Sequence, residues 1–193
     1  MSEMTSSELY DSFEQKLTET LVGICRSRCM LPDGAMPSSE DIDQKLNDYL
    51  REFLEEALPE FDNYPDVVFA WAGYVGMAVA RMWDTDWTAG AQAPYAGLHG
   101  PRGFDDMDEH ITADILGHPL GSKEATDISS LLASCATSTI SLIRHQGIES
   151  GTEDAFFILV RSIYAMMRVG AAVELSSLGY KFFANFAQNP LKS

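Results

Sequence analysis

The chain has 193 residues, of which 46% are hydrophobic, and its 13 Lys and Arg stand against 29 Asp and Glu for a formal charge of −16. That length and apolar content suit one buried core over residues 1–193 and exclude disorder across most of the chain. A charge so negative repels phosphate backbones and anionic headgroups, so neither nucleic acid nor a membrane surface is an expected partner.

Hydrophobic periodicity predicts about six helices and no strand, an all-α, single-domain irregular bundle. From Ser7 to Met30, apolar residues Leu9, Phe13, Leu17, Leu21 and Ile24 recur every three or four positions, the spacing of one helix face. Leu31-Pro32-Asp33-Gly34 should stop this helix, because proline cannot continue it and Asp-Gly favours a turn. The second helix is expected to start at Ser38 or Ser39, with Glu40, Asp41 and Asp43 complementing the dipole of its first turn. Ile42, Leu46, Tyr49, Leu50, Phe53, Leu54 and Ala57 form its inner stripe, Lys45, Asp48, Arg51, Glu52 and Glu55 its outer face, and Pro59 is expected to lie beyond its end.

The third segment, Pro65 to Asp86, is apolar all round and is expected to be the central, buried helix. Its Ala70, Ala72, Gly73, Gly76, Ala78 and Ala80 would let neighbouring backbones come close. Its longest uncharged apolar run, Val67 to Ala80, is shorter than the roughly 20 residues that a bilayer span needs. Residues 87–103, rich in Gly, Pro and Ala, read as a long loop, with Trp87, Tyr95 and Leu98 to pack it down. A short helix from Phe104 to Leu116 should turn Phe104, Met107, Ile111 and Ile115 inward and end at Gly117 and Pro119. The fifth helix, Lys123 to Gln146, buries Ile128, Leu131, Leu132, Cys135, Ile140 and Ile143, and is otherwise rich in Ser and Thr. A sixth begins at Thr152 and could reach Ala187, with a bend or break expected at Gly170 to Ser177.

No basic, then apolar, leader is read at the amino terminus, and Cys25, Cys29 and Cys135 are too few for a disulfide framework. Both features fit a reduced, cytoplasmic protein. The cysteines and histidines lack zinc spacing, so no structural zinc is expected. No EF-hand, Glu-x-x-His pair, P-loop, G-x-G-x-x-G or nucleophile elbow occurs in the sequence.

One region breaks a local rule. Asp84 and Asp86 sit at the expected carboxyl end of the third helix, where the macrodipole disfavours negative charge, and Trp83 and Trp87 flank them. Asp105, Asp106, Asp108, Glu109 and His110 follow the loop, and Arg81, His99 and Arg102 lie close by in sequence. If the loop folds back, Arg81, Trp83, Asp84, Asp86, Trp87, His99, Arg102, Asp106 and His110 would share one pocket. Its carboxylates could hold magnesium or calcium, or tune one another for acid–base work. An arginine pair is the first expectation for Asp84 and Asp86, and a cation the second. Arg161, Tyr164 and Arg168, in register with Phe157, form a second anomaly on an apolar helix: an ion-pair set by default, an anion site in the sharper reading. These features favour a non-enzymatic protein acting through protein–protein contact or self-association, with the apolar tail face Tyr180, Phe182, Phe183 and Phe186 in support. The alternative is a small-molecule-binding protein or metal-assisted hydrolase with its site around residues 81–110.

Overall fold

The computed structural model describes residues 6–181, which form an all-α bundle without a strand; one isolated bridge joins Gly100 and Gly103. Its principal helices are α1 (Ser6–Ser27), α2 (Glu40–Phe61), α3 (Pro65–Gln92), α4 (Met107–His110), α5 (Lys123–His145) and α6 (Glu153–Ser177). The apolar stripe of α1 is real, with Phe13, Leu17, Leu21 and Cys25 buried. In α2, Ser39 is the N-cap and accepts from the Ile42 N–H.

The centre is α3. Every residue from Ala72 to Ala80 is buried, and this helix packs on α2, α5 and α6. Its closest companion is α6, buried without interruption from Val169 to Leu175. The two backbones nearly touch where they cross. A Cβ placed on Gly76 would lie 1.8 Å from the Met167 carbonyl oxygen, and one on Gly170 would lie 1.9 Å from that of Gly73.

The ends of α1 and α2 differ from expectation. The first helix ends at Ser27 rather than Met30, in a turn where Cys29 N–H donates to Arg26 O and Met30 N–H to Cys25 O, both at 3.0 Å. This Schellman turn needs a left-handed residue, usually glycine, and Cys29 takes that place at φ 59°. Because a side chain in that conformation is strained, Cys29→Gly is expected to raise stability by about 0.5 to 1 kcal/mol despite its freer unfolded chain. Urea denaturation under reducing conditions measures this, and a lowered midpoint would contradict it.

Helix α2 runs through Pro59 to Phe61 instead of stopping before it. The proline falls in the last turn, where the carbonyl that loses its donor, Glu55 O, belongs to an exposed residue that water can serve. Helix α6 ends at Ser177, at the far edge of the Gly170–Ser177 interval where a break was expected, in a second Schellman turn with Gly179 at φ 93°, and it runs unbroken through Gly170. Gly170 serves close approach rather than bending. Tyr180 therefore lies past the helix, and Phe182, Phe183 and Phe186 fall outside the described residues.

The largest correction concerns residues 87–103. Asp86 leaves helical geometry (φ −160°, ψ 94°), after which the chain makes another helical stretch to Gln92, a 3-10 turn at Tyr95–Leu98 and a tight turn closed by the Gly100–Gly103 bridge. Tyr95 and Leu98 are buried. Lys45, assigned by sequence to the outer face of α2, is buried as well, because its ammonium ends this stretch: Nζ donates to Ala91 O at 2.9 Å and Ala93 O at 2.7 Å. Tyr49 adds a third bond, its hydroxyl donating to Ala93 O at 2.8 Å. Burial pulls the Lys45 ammonium below its ordinary range.

Candidate functional site

The nine residues read as one pocket separate into several local arrangements. Arg81, on the last regular turns of α3, reaches α6 rather than the aspartates: its Nη2 lies 2.6 Å and its Nε 2.7 Å from Glu174 Oε1. Glu174 is fully buried, and Ser177 donates to its second oxygen at 3.3 Å. Burial lifts the Glu174 carboxyl above its ordinary range, and the Arg81 charge and hydrogen bond oppose that rise.

Neither Asp84 nor Asp86 pairs with an arginine. Asp84 is exposed and accepts from the Tyr180 hydroxyl at 2.8 Å, while Trp83 stacks edge-on against the Tyr180 ring at 5.6 Å. That hydrogen bond to a carboxylate holds the Tyr180 phenol above its ordinary range. Asp86 is an N-cap: its extended backbone ends the long part of α3, and its Oδ1 accepts from Ala89 N–H at 3.2 Å. The conflict with the macrodipole thus dissolves for Asp86, which stands at the favourable amino end of the next helical stretch. Asp86→Ala is expected to cost about 1 kcal/mol and Asp86→Asn little, since asparagine caps nearly as well. Thermal melts check this; a stabilised Ala variant would show that the cap carries nothing.

The remaining residues hold the turns together. Asp106 is buried, and its carboxylate accepts from Arg102 N–H at 3.0 Å and approaches Arg102 Nε at 3.4 Å. Gly100 leaves room for it, since a Cβ there would sit 2.5 Å from Asp106 Oδ1. His99 meets Glu56 of α2 at 3.0 Å. His110 meets Asp114 at 2.8 Å and Gly97 O at 3.3 Å, so Asp106 and His110, four apart, take different partners. Half-buried Trp87 lines a shallow groove with Glu40, Lys45 and Asp48. Among the described residues, no group of three or more His, Cys, Asp and Glu side chains is arranged to hold a metal ion.

Besides Arg102 with Asp106, the fold brings together Arg81 and Asp86, in an apolar-walled cleft of about 380 Å³ with Met82, Ala89, Gly90 and Ile115. The second anomaly resolves into ion pairs. Arg161 Nη1 lies 2.9 Å from Asp11 Oδ1 and 2.5 Å from Glu14 Oε2, and Arg168 Nε lies 3.7 Å from Asp43 Oδ1. Each guanidinium thus has a carboxylate beside it, and Arg168 also donates from Nη2 to Pro37 O at 3.3 Å.

Sequence reasoning missed one hollow, of about 390 Å³, between α5 and α4 with the segment that follows it. Buried Tyr74 lines it with Thr112 and Ser129, and burial holds its phenol above its ordinary range. Beside it the chain widens into a π-helical turn, Ile111–Ile115, with Leu116 N–H donating to Ile111 O at 2.8 Å and His118 N–H to Thr112 O at 2.9 Å. The Ser and Thr content of α5 was the visible signal for this hollow. The π turn has no sequence signature. No family model, curated protein or solved structure matches the chain.

Proposed function

We propose that the chain is a non-enzymatic cytoplasmic protein that acts through protein–protein contact, beginning with association of its own copies. One observation carries this reading. Phe156 and Phe157, adjacent in the first turns of α6, are 46% and 40% exposed, and the Phe157 ring lies 5.4 Å from that of Tyr10 on α1. Adjacent aromatics left open to water, with an ion-paired rim formed by Arg161, Asp11 and Glu14, have the make-up of a contact centre. Most residues first suspected of chemistry are instead engaged in caps and ion pairs, which also supports this reading. Helix α6 alone among the described helices is long and apolar enough to cross a bilayer, but 61% of its most apolar window is buried against the bundle, so packing accounts for its apolarity.

Sedimentation of the wild type and a Phe156→Ser/Phe157→Ser variant tests the proposal. The wild type should associate with rising concentration, more strongly at high salt because a charge of −16 repels its own copy. The variant should stay monomeric with an unchanged melting temperature. Identical monomers at every concentration would overturn self-association at this patch. A second reading, small-molecule binding or metal-assisted hydrolysis, is favoured by the cleft that holds Arg81 and Asp86. It would gain ground if magnesium or calcium raised the melting temperature of the wild type but not of Asp84→Asn/Asp86→Asn.

A further inference from the structure

The hollow of about 390 Å³ beside α5 has the size of a small-ligand site, and its two walls differ in chemistry. On one side stand Asp108 and, four residues later on the same side of the segment, Thr112, while Met107 and Ile111 are buried in the core. On the other, Thr126, Ser129, Ser130 and Ala133 follow the three- and four-residue spacing of one face of α5. Two carboxylates line the hollow, Asp108 and Glu109, and no lysine, arginine or histidine does. Glu109 has a partner, with Arg102 Nη2 3.3 Å away. Asp108 is half-buried, and among the described residues nothing donates to its carboxylate. Its place in the first turn of α4 favours the charge but leaves the acceptor oxygens open, at a cost that grows with burial. The chain widens into its π turn at this same place, a departure from regular helix that is frequent at functional sites.

We propose that this hollow binds a small aliphatic primary amine in its ammonium form, with the charge on Asp108 and the hydrocarbon against Leu120, Ala125 and Ala133. An ammonium group brings three N–H donors and no acceptor, and an ionised carboxylate offers only acceptors. The hydroxyls of Thr112 and Ser129 rotate to suit, so they complete the acceptor set around the N–H groups. The exposed Leu120 and the alanines of α5 leave an apolar strip for the chain of the amine. A bare divalent cation needs six or more oxygens, and among the described residues no three His, Cys, Asp and Glu side chains gather to supply them. An anion is repelled both by the two carboxylates and by the charge of −16, which draws cations inward. The volume, at the low end for ligand pockets, keeps the ligand small.

The test titrates the isotope-labelled full chain with butylammonium chloride at neutral pH, where an alkylamine is charged, and follows the backbone amides by NMR. Saturable shifts should gather at Thr112, Ala125 and Ser129. The neutral n-butanol, and tetramethylammonium, which is charged but has no N–H, should each bind about tenfold or more weakly, because neither makes a charge-assisted hydrogen bond. Asp108→Asn should weaken butylammonium binding by a similar factor. Ala133→Leu, at an exposed position, keeps the carboxylate but fills the hollow, so it should abolish the local shifts. Shifts that never saturate or that spread over the acidic surface would overturn the proposal, as would wild-type affinity in either variant. None of the lining residues belongs to α6, so neither result bears on association at Phe156 and Phe157.

Discussion

Gly76→Leu is expected to destabilise the fold by about 3 kcal/mol or more, at or beyond the upper end of ordinary overpacking costs. The obstacle decides the magnitude. A Cβ at Gly76 would meet the Met167 carbonyl oxygen at 1.8 Å and Ala171 N at 2.9 Å, all backbone of α6, which cannot rotate aside as a side chain would. Relief requires α3 and α6 to separate, and both are buried along the crossing. Even Gly76→Ala should destabilise, because an alanine's advantage of about 1 kcal/mol in helix propensity is smaller than the cost of parting two core helices. Gly23 on α1 supplies the control: nothing lies within 4 Å of a Cβ there, so Gly23→Ala should gain about 1 kcal/mol. Urea midpoints of the three variants check the argument. An unchanged midpoint for Gly76→Leu would show that the helices are not in contact there.

The features legible in the sequence were those that one helix declares by itself. The stripe Phe13, Leu17, Leu21 on α1, the Ser39 cap of α2 and the all-round apolarity of α3 each follow from spacing or local chemistry, and each is present. The misreadings arose where a distant residue decides the local structure. Gly170 resembles a weak point in a helix until Gly73 is placed against it. Lys45 sits among polar positions on a helical wheel, and only the carbonyls of Ala91 and Ala93 draw it inside. Asp86 looked misplaced because the third helix was taken as ending there, whereas it starts a new helical stretch. The same cause drew off part of the candidate site: Arg81 and Asp84 turn to Glu174 and Tyr180, while Asp106 and His110 keep to partners four residues away, Arg102 and Asp114. Glu174 and Tyr180 lie more than ninety residues from the positions they engage, out of reach of any motif.

Arg81→Met should weaken the fold in a manner that depends on pH, because it removes the charge facing Glu174. Glu174 is fully buried, and its folded pKa already lies above the ordinary glutamate value of about 4.3. A carboxyl raised in the folded state contributes its full stability below the unfolded pKa and loses it as pH climbs through the folded value. The wild type therefore gives up some stability as Glu174 ionises. With Arg81 gone, the folded pKa moves higher still and the loss grows. Below about pH 4 both proteins carry a neutral Glu174, so they should differ only by the packing of a methionine for an arginine stem. Toward pH 8 the gap should open to about 3 kcal/mol, the low end for breaking a buried pair, because the Arg81 side chain is itself 26% exposed. A double replacement, Arg81→Met with Glu174→Leu, leaves no orphaned charge and should recover most of the loss at pH 8. Urea denaturation of the three proteins from pH 4 to 8 separates the explanations. A penalty for Arg81→Met that stays constant with pH would mean that Arg81 acts through packing alone and that the charge on Glu174 is balanced from elsewhere.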